Sequence, residues 1–340
     1  SCVSLHTLRW SPSSMKTLDS SNKFSGGRSS SPSLLPGPRY LLTLSEVHEV
    51  VAIVTQAGAF AFDVETLGVL EHHPDLEEFV EQQVRSHVLG LKTTSESVIE
   101  RTRTTKVDAT TKSIALDPHR NEVIWMGIAT HGHSWAIPMG HPKGEIIEEE
   151  ERGDGKTVPP ANYRKILKDG TGSMAKARYL KPAVYSDPPE QLSRTEVFAA
   201  LKPLFFDPAI LKVGHNVKFD ARTIAKYYGE LPVGPFHDTM LLQHTLDENL
   251  PSFRLTSLIA NNFHGHDPYA RHGKVGAVIG HTPFSIACDY VHLDARWTWL
   301  LYQRLVRSVK GIDKLMDVVT QDSEVLEVLM AMEHDGMCVN

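Results

Sequence analysis

Ala59-Phe-Ala-Phe-Asp63-Val-Glu65-Thr66 is an apolar strand pattern interrupted by two carboxylates. In extended chain the side chains at i and i+2 share a face, so Asp63 and Glu65 project together while Phe62 and Val64 turn towards a core. Two hard oxygen donors side by side suit Mg²⁺ or Mn²⁺. An Asp-x-Glu triplet taken alone is a weak signal and reads more readily as a pair of exposed strand acids. Its position inside a run otherwise fit for burial sets this one apart.

Working outward from that strand, residues 45–56 (SEVHEVVAIVTQ) carry Val47, Val50, Val51 and Val54 at helical spacing. Downstream, residues 122–130 and 133–139 flank His131-Gly132 and read as a β-hairpin. Ser193-x-x-Glu196 has the form of a capping box opening a helix to about 206. Residues 210–215 read as a buried strand feeding a helix over 218–228. An extended piece at 236–239 leads into helical segments at 240–248 and 254–263. One long helix is expected over 283–309 and a last one over 322–333. Early strands followed by alternating helices indicate an α/β domain with a mixed sheet. Two stretches exceed what such a domain needs: 71–115, polar and Thr-rich, and 141–190, rich in Gly, Pro and acid.

Two further patterns carry chemistry. In Val213-Gly-His-Asn216-Val-Lys218-Phe219-Asp220 a strand ends, the chain turns, and an acid falls near the start of a helix. The helix dipole favours an acid there, and Asn216 suits a turn, so local structure alone accounts for both residues. In Tyr290-Val-His-Leu-Asp294 the i, i+4 spacing puts phenol and carboxylate on one face of the long helix. Ile286, Leu293, Trp297 and Leu301 fall on or beside that face, which places Asp294 where the helix meets the core. A carboxylate there is costly unless it is paired or binds metal.

Asp-x-Glu, then Asn-x-x-x-Phe-Asp, then Tyr-x-x-x-Asp, in this order, resembles the three exonuclease motifs of the DEDD superfamily, tyrosine type. Phe62 to Thr66, Val213 to Asp220 and Asp238-Thr239-Met240 are similar in detail to the proofreading 3′-5′ exonuclease domain of family A DNA polymerases of the DNA polymerase I kind. Position 289 is Asp where the histidine type would have His. The resemblance implies a ribonuclease H-like mixed sheet flanked by helices, with 71–115 and 141–190 as insertions. It also implies hydrolysis of phosphodiester bonds at DNA 3′ ends, single strands preferred, by two Mg²⁺ or Mn²⁺ ions. Asp63, Glu65, Asp220 and Asp294 would hold the metals and Tyr290 would orient the attacking water or the scissile phosphate. Thr66, Val69 and Asn216 match positions lining the terminal nucleotide. Residues 41–312 would form this domain. The stretch from 313 to 340 resembles the entry to a polymerase domain, with Gly336 placed for a helix C-terminus.

Composition is that of an ordinary globular chain: 41% hydrophobic and 22% charged residues, with mean hydropathy −0.23. A net charge of −6 is unusual for a nucleic-acid binder, but a site built of carboxylates meets phosphate through bound cations instead. Cys2, Cys288 and Cys338 make neither a metal-binding spacing nor a paired framework. Residues 1–40 hold twelve serines, five basic residues and one acid, a composition shared by disordered tails and organellar transit peptides. The rest fits a cytoplasmic setting. His264, His266, His272 and His281 lie close together at spacings that fit no zinc pattern. Two other readings remain open at this level: an RNA exonuclease resembling ribonuclease D, and a catalytically silent exonuclease fold that only binds DNA. Silent versions lose metal ligands, whereas all four acids and the tyrosine are present here.

Overall fold

The computed structural model describes residues 39–68, 114–148, 150–151, 157–158, 184–269, 275 and 279–336. The expected helix near Leu76, most of both surplus segments, Val69 and residues 1–38 lie outside these. The chain enters through β1 (Arg39–Tyr40) and helix α1 (Leu44–Ala57). A capping box opens α1: Thr43 Oγ1 accepts the Glu46 N–H, and the Glu46 carboxylate accepts the Thr43 N–H. Gly58, at φ 70°, ends the helix in the left-handed region and turns the chain directly into β2 (Ala59–Leu67).

The expected hairpin forms as β3 (Glu122–Thr130) and β4 (His133–Pro138). Short strands β5 (Ile146–Glu148) and β8 (Val184–Tyr185) pair with each other, as do β6 (Glu150–Glu151) and β7 (Thr157–Val158). Then come α2 (Arg194–Phe206), β9 (Leu211–Gly214), α3 (Val217–Tyr228), β10 (Phe236–Asp238), α4 (Thr239–Leu246), α5 (Leu255–Asn262), α6 (Phe284–Lys310) and α7 (Leu315–Asp335). Two expectations are corrected. Ser193 makes no side-chain cap, although α2 begins where the capping box predicts. The last helix starts at Leu315 rather than 322, because its first turns pack Val319 against α4 and α6 and are held by tertiary contact.

The main sheet runs β1-β4-β3-β2-β9-β10. Strand β2 is central. Its antiparallel partner β3 continues through the hairpin to β4, while β9 and β10 lie parallel on the other side. That order is the ribonuclease H-like sheet.

The period-2 pattern of β2 sorts its side chains between two cores. Phe60, Phe62 and Val64 join α1, α2 and α3 on one face. Ala61 faces α6 together with Ala295 and Trp299. Asp63 and Glu65 belong to this second face by alternation. The cross-strand partner of Asp63 is Gly127, and it is a glycine for a steric reason: a Cβ there would lie 2.7 Å from the Val291 carbonyl oxygen and 3.0 Å from Ala295 Cβ. Helix α6 therefore lies almost on the backbone of β3, with Asp294 drawn in beside the acids of β2.

The ends of the surplus segments are fastened to this body. The Ala115 carbonyl accepts the Thr66 hydroxyl at 2.6 Å and Asn121 Nδ2 at 3.0 Å. Glu145 accepts both the N–H and the hydroxyl of Ser285 at the start of α6, and its own N–H is held by Ser186. Gly336 closes α7 as expected, its N–H reaching the Met332 carbonyl. On α7, Leu326 and Met330 are buried while Val325, Val328, Leu329 and Met332 stand exposed. No helix among the described residues is long and apolar enough to cross a membrane.

Candidate active site

Asp63 and Glu65 from β2 and Asp294 from α6 each present an oxygen within 4.8 Å of the other two. This is the one such cluster of potential metal ligands among the described residues. Asp63 and Glu65 keep part of their surface open, whereas Asp294 is 7% exposed. The i, i+4 spacing on α6 does what it predicts: Tyr290 stands one turn before Asp294 on the same helix, and its hydroxyl favours the ionised Asp294 carboxylate.

Asp220 arrives by a different route. Strand β9 pairs with β2 only along Ala59–Ala61, which leaves later backbone groups of β2 without a neighbour on that side. The Val64 N–H is donated to Asp220 Oδ1 at 3.0 Å. Asp220 thus sits in the first turn of α3, as the dipole favours, yet its hydrogen bond ties that helix to β2, the strand that carries Asp63 and Glu65. It is 4% exposed.

Asp238 supports this arrangement. Its carboxylate accepts the N–H groups of Asn216 at 3.0 Å, Val217 at 2.9 Å and Met240 at 2.8 Å. One buried side chain thereby caps α4 and clamps the turn into α3. Asn216 occupies the left-handed region (φ 63°), makes no side-chain cap and is exposed. Thr66 is half-buried, its hydroxyl engaged by Ala115.

A residue the sequence reading passed over completes the centre. The hydroxyl of Tyr269 donates to Asp294 Oδ1, and its ring stands 5.5 Å from that of Tyr290. Tyr269 lies in the His- and Gly-rich stretch, where attention to metal-ligand spacing favoured the histidines. An Asp-x-Tyr turn was the available signal, since Asp267 accepts the Tyr269 N–H at 2.9 Å. Of the histidines, His266 packs on Trp297, at 4.8 Å between rings.

Burial drives every carboxyl in the cluster upward, and the acids reinforce one another. Asp63 is raised well above the usual carboxylate range by burial, then by Asp220, Asp294 and Glu65. Glu65 is raised by burial, then by Asp294 and Asp220. Burial takes Asp220 up to about 8 against the opposing pull of the Val64 N–H. Asp294 reaches about 7, burial outweighing the opposing pull of the Tyr269 and Tyr290 hydroxyls. No lysine or arginine among the described residues offsets this repulsion. An all-oxygen, uncompensated acidic set of this kind fits hard divalent cations.

A ribonuclease H-like sheet whose central strand, third helix and long helix converge four carboxylates defines a nuclease domain. Residues 180–310 match the family model described as 3'-5' exonuclease, the DNA polymerase A type. The match contains Asp220, Tyr290 and Asp294; Asp63 and Glu65 lie before it and join the site through the sheet. The chain is 32% identical over 163 residues to DNA polymerase I of Pseudomonas aeruginosa, covering 46% of this chain and 18% of that protein. It is 27% identical over 190 residues to DNA polymerase I of Rhizobium leguminosarum, covering 51% and 18%. The chain therefore spans about a fifth of the length of these curated relatives. Among solved structures, Brucella melitensis NrnC aligns at TM-score 0.47 and 14% identity over 88% of this chain and 94% of its own. Escherichia coli RNase D aligns at 0.43 and 12% over 89% and 52%. Both scores lie below 0.5, so the strand order remains what defines the fold.

Proposed function

We propose that this chain hydrolyses phosphodiester bonds at DNA 3′ ends, as the proofreading part of a family A DNA polymerase whose polymerase domain begins near residue 313. The convergence of Asp63, Glu65 and Asp294 within 4.8 Å, with buried Asp220 bonded to the same strand, carries this reading. The identity to two DNA polymerases I favours DNA over RNA.

Asp63, Glu65 and Asp294 would hold one Mg²⁺ or Mn²⁺, and Asp63 with Asp220 a second. Ions held there supply positive charge to the scissile phosphate and lower the pKa of coordinated water. The protein's own part is to fix the four carboxylates on rigid elements and to present the Tyr290 hydroxyl beside them, where it orients the water or the phosphate. Thr66 and Asn216 would line the terminal nucleotide. Single-stranded ends suit this arrangement, because frayed bases can be held without sequence readout.

Matched 5′-labelled DNA and RNA oligonucleotides, incubated with Mn²⁺, test the proposal. DNA should shorten stepwise from the 3′ end, faster when single-stranded, and Asp63→Ala should stop it. Degradation of RNA alone would reassign the domain to RNA processing. Intact DNA and RNA would mark a silent fold.

A further inference from the structure

We infer that Tyr269 is a positioning residue for the exonuclease centre: its hydroxyl holds the Asp294 carboxylate in the orientation that receives the cation. The inference rests on the proposed nuclease reading and concerns a residue outside the three exonuclease motifs.

Two tyrosines stand near Asp294: Tyr269 donates its hydroxyl to Oδ1, and Tyr290 lies one turn earlier on the same helix with its ring 5.5 Å from that of Tyr269. The two phenols differ in their surroundings. Tyr269 is 6% exposed and packs with Ile259 and Trp297, on a turn fixed by Asp267. Tyr290 is half-buried, on the same helix as Asp294, and more open to solvent. A buried phenol with its hydroxyl committed to a ligand oxygen has nowhere else to donate, because losing that bond strands a polar group in the core. Tyr269 therefore stays on Asp294 throughout the reaction, which frees Tyr290 to turn its hydroxyl to water or phosphate. An outer partner of this kind fixes which lone pairs of the ligand face the ion, and its loss typically costs 10–100-fold in metal affinity or activity.

The two phenols separate in experiment. Mn²⁺ binding is measured by calorimetry on the protein without nucleic acid, alongside 3′ degradation as a function of Mn²⁺ concentration. Tyr269→Phe keeps the ring and should weaken Mn²⁺ binding about 10-fold or more, with turnover restored at high Mn²⁺. Tyr290→Phe should bind Mn²⁺ as wild type does and lose turnover at every concentration. Wild-type affinity in Tyr269→Phe would overturn the inference. So would failure of that variant to fold in the absence of cations, since the hydroxyl would then serve packing and not Asp294. Wild-type protein that neither binds Mn²⁺ nor degrades 3′ ends would instead strike at the nuclease reading itself.

Discussion

The carbonyl oxygen of Val291 lies 2.7 Å from the point where a side chain on Gly127 would begin. Gly127 is also the cross-strand partner of Asp63, so the contact that brings α6 onto the sheet sits directly beside the strand that carries Asp63 and Glu65. The obstruction is backbone, which cannot rotate away. Gly127→Ala should therefore push α6 outward, costing about 1–3 kcal/mol as an overpacked core does. Asp294 moves with the helix. Thermal unfolding should show the destabilisation, and degradation of 3′ ends should fall by more than the fraction unfolded explains.

Removing a ligand tests the acidic cluster itself. Asp63→Ala and Asp294→Ala should each lower 3′ degradation by orders of magnitude, read as rate on a single-stranded DNA. Mn²⁺ held by these acids in the wild type should raise the unfolding midpoint, since it would bind the folded state alone. At 100 times the dissociation constant the gain is about 2.7 kcal/mol. An Asp63→Ala, Asp220→Ala double variant should show no such gain, and an equal shift in both would place the ion elsewhere.

Stability without cations should depend on pH in an unusual sense. Asp294 titrates near 7 and Asp220 near 8 in the folded protein, both raised chiefly by burial. In the unfolded chain an aspartate titrates at about 3.9. Between roughly pH 4 and 8 the folded state thus holds protons that the unfolded state has released, so stability falls as pH rises through that window. Below it the full contribution is present, and Asp63 and Glu65, also raised by burial, add to the decline. Urea midpoints in a chelator, from pH 4 to 9, should trace this decline, and Asp294→Asn should flatten it.

Asp238 makes no contact with the cluster of three acids among its hydrogen bonds, yet the position of Asp220 depends on it. Its carboxylate satisfies three backbone N–H groups across the junction of β10, α3 and α4. Asp238→Ala leaves those donors without their partner, at about 1–3 kcal/mol for each group that stays buried and unsatisfied. Chemical denaturation should report a loss of that order or larger. Mn²⁺ binding should weaken as well, because the N-terminus of α3 carries Asp220.

The amino-acid sequence by itself determined the local elements and the identity of the four acids. Alternation in β2 assigned Asp63 and Glu65 to one face, and the i, i+4 spacing on α6 paired Tyr290 with Asp294, because both are properties of short-range backbone geometry. Tertiary structure decided what those residues meet. Asp220 reads locally as a helix-start acid; only the early end of the β2–β9 pairing gives it the Val64 N–H. Ser193 and Thr43 both head capping boxes in sequence, and only Thr43 makes the reciprocal bonds in the fold. Tyr269 belongs to no periodic pattern, and Gly127 looks like an ordinary strand glycine. Both act through contacts with α6, across 25 and more than 160 residues of chain. Such contacts depend on how a long helix is laid across a sheet, which side-chain spacing along one segment does not encode.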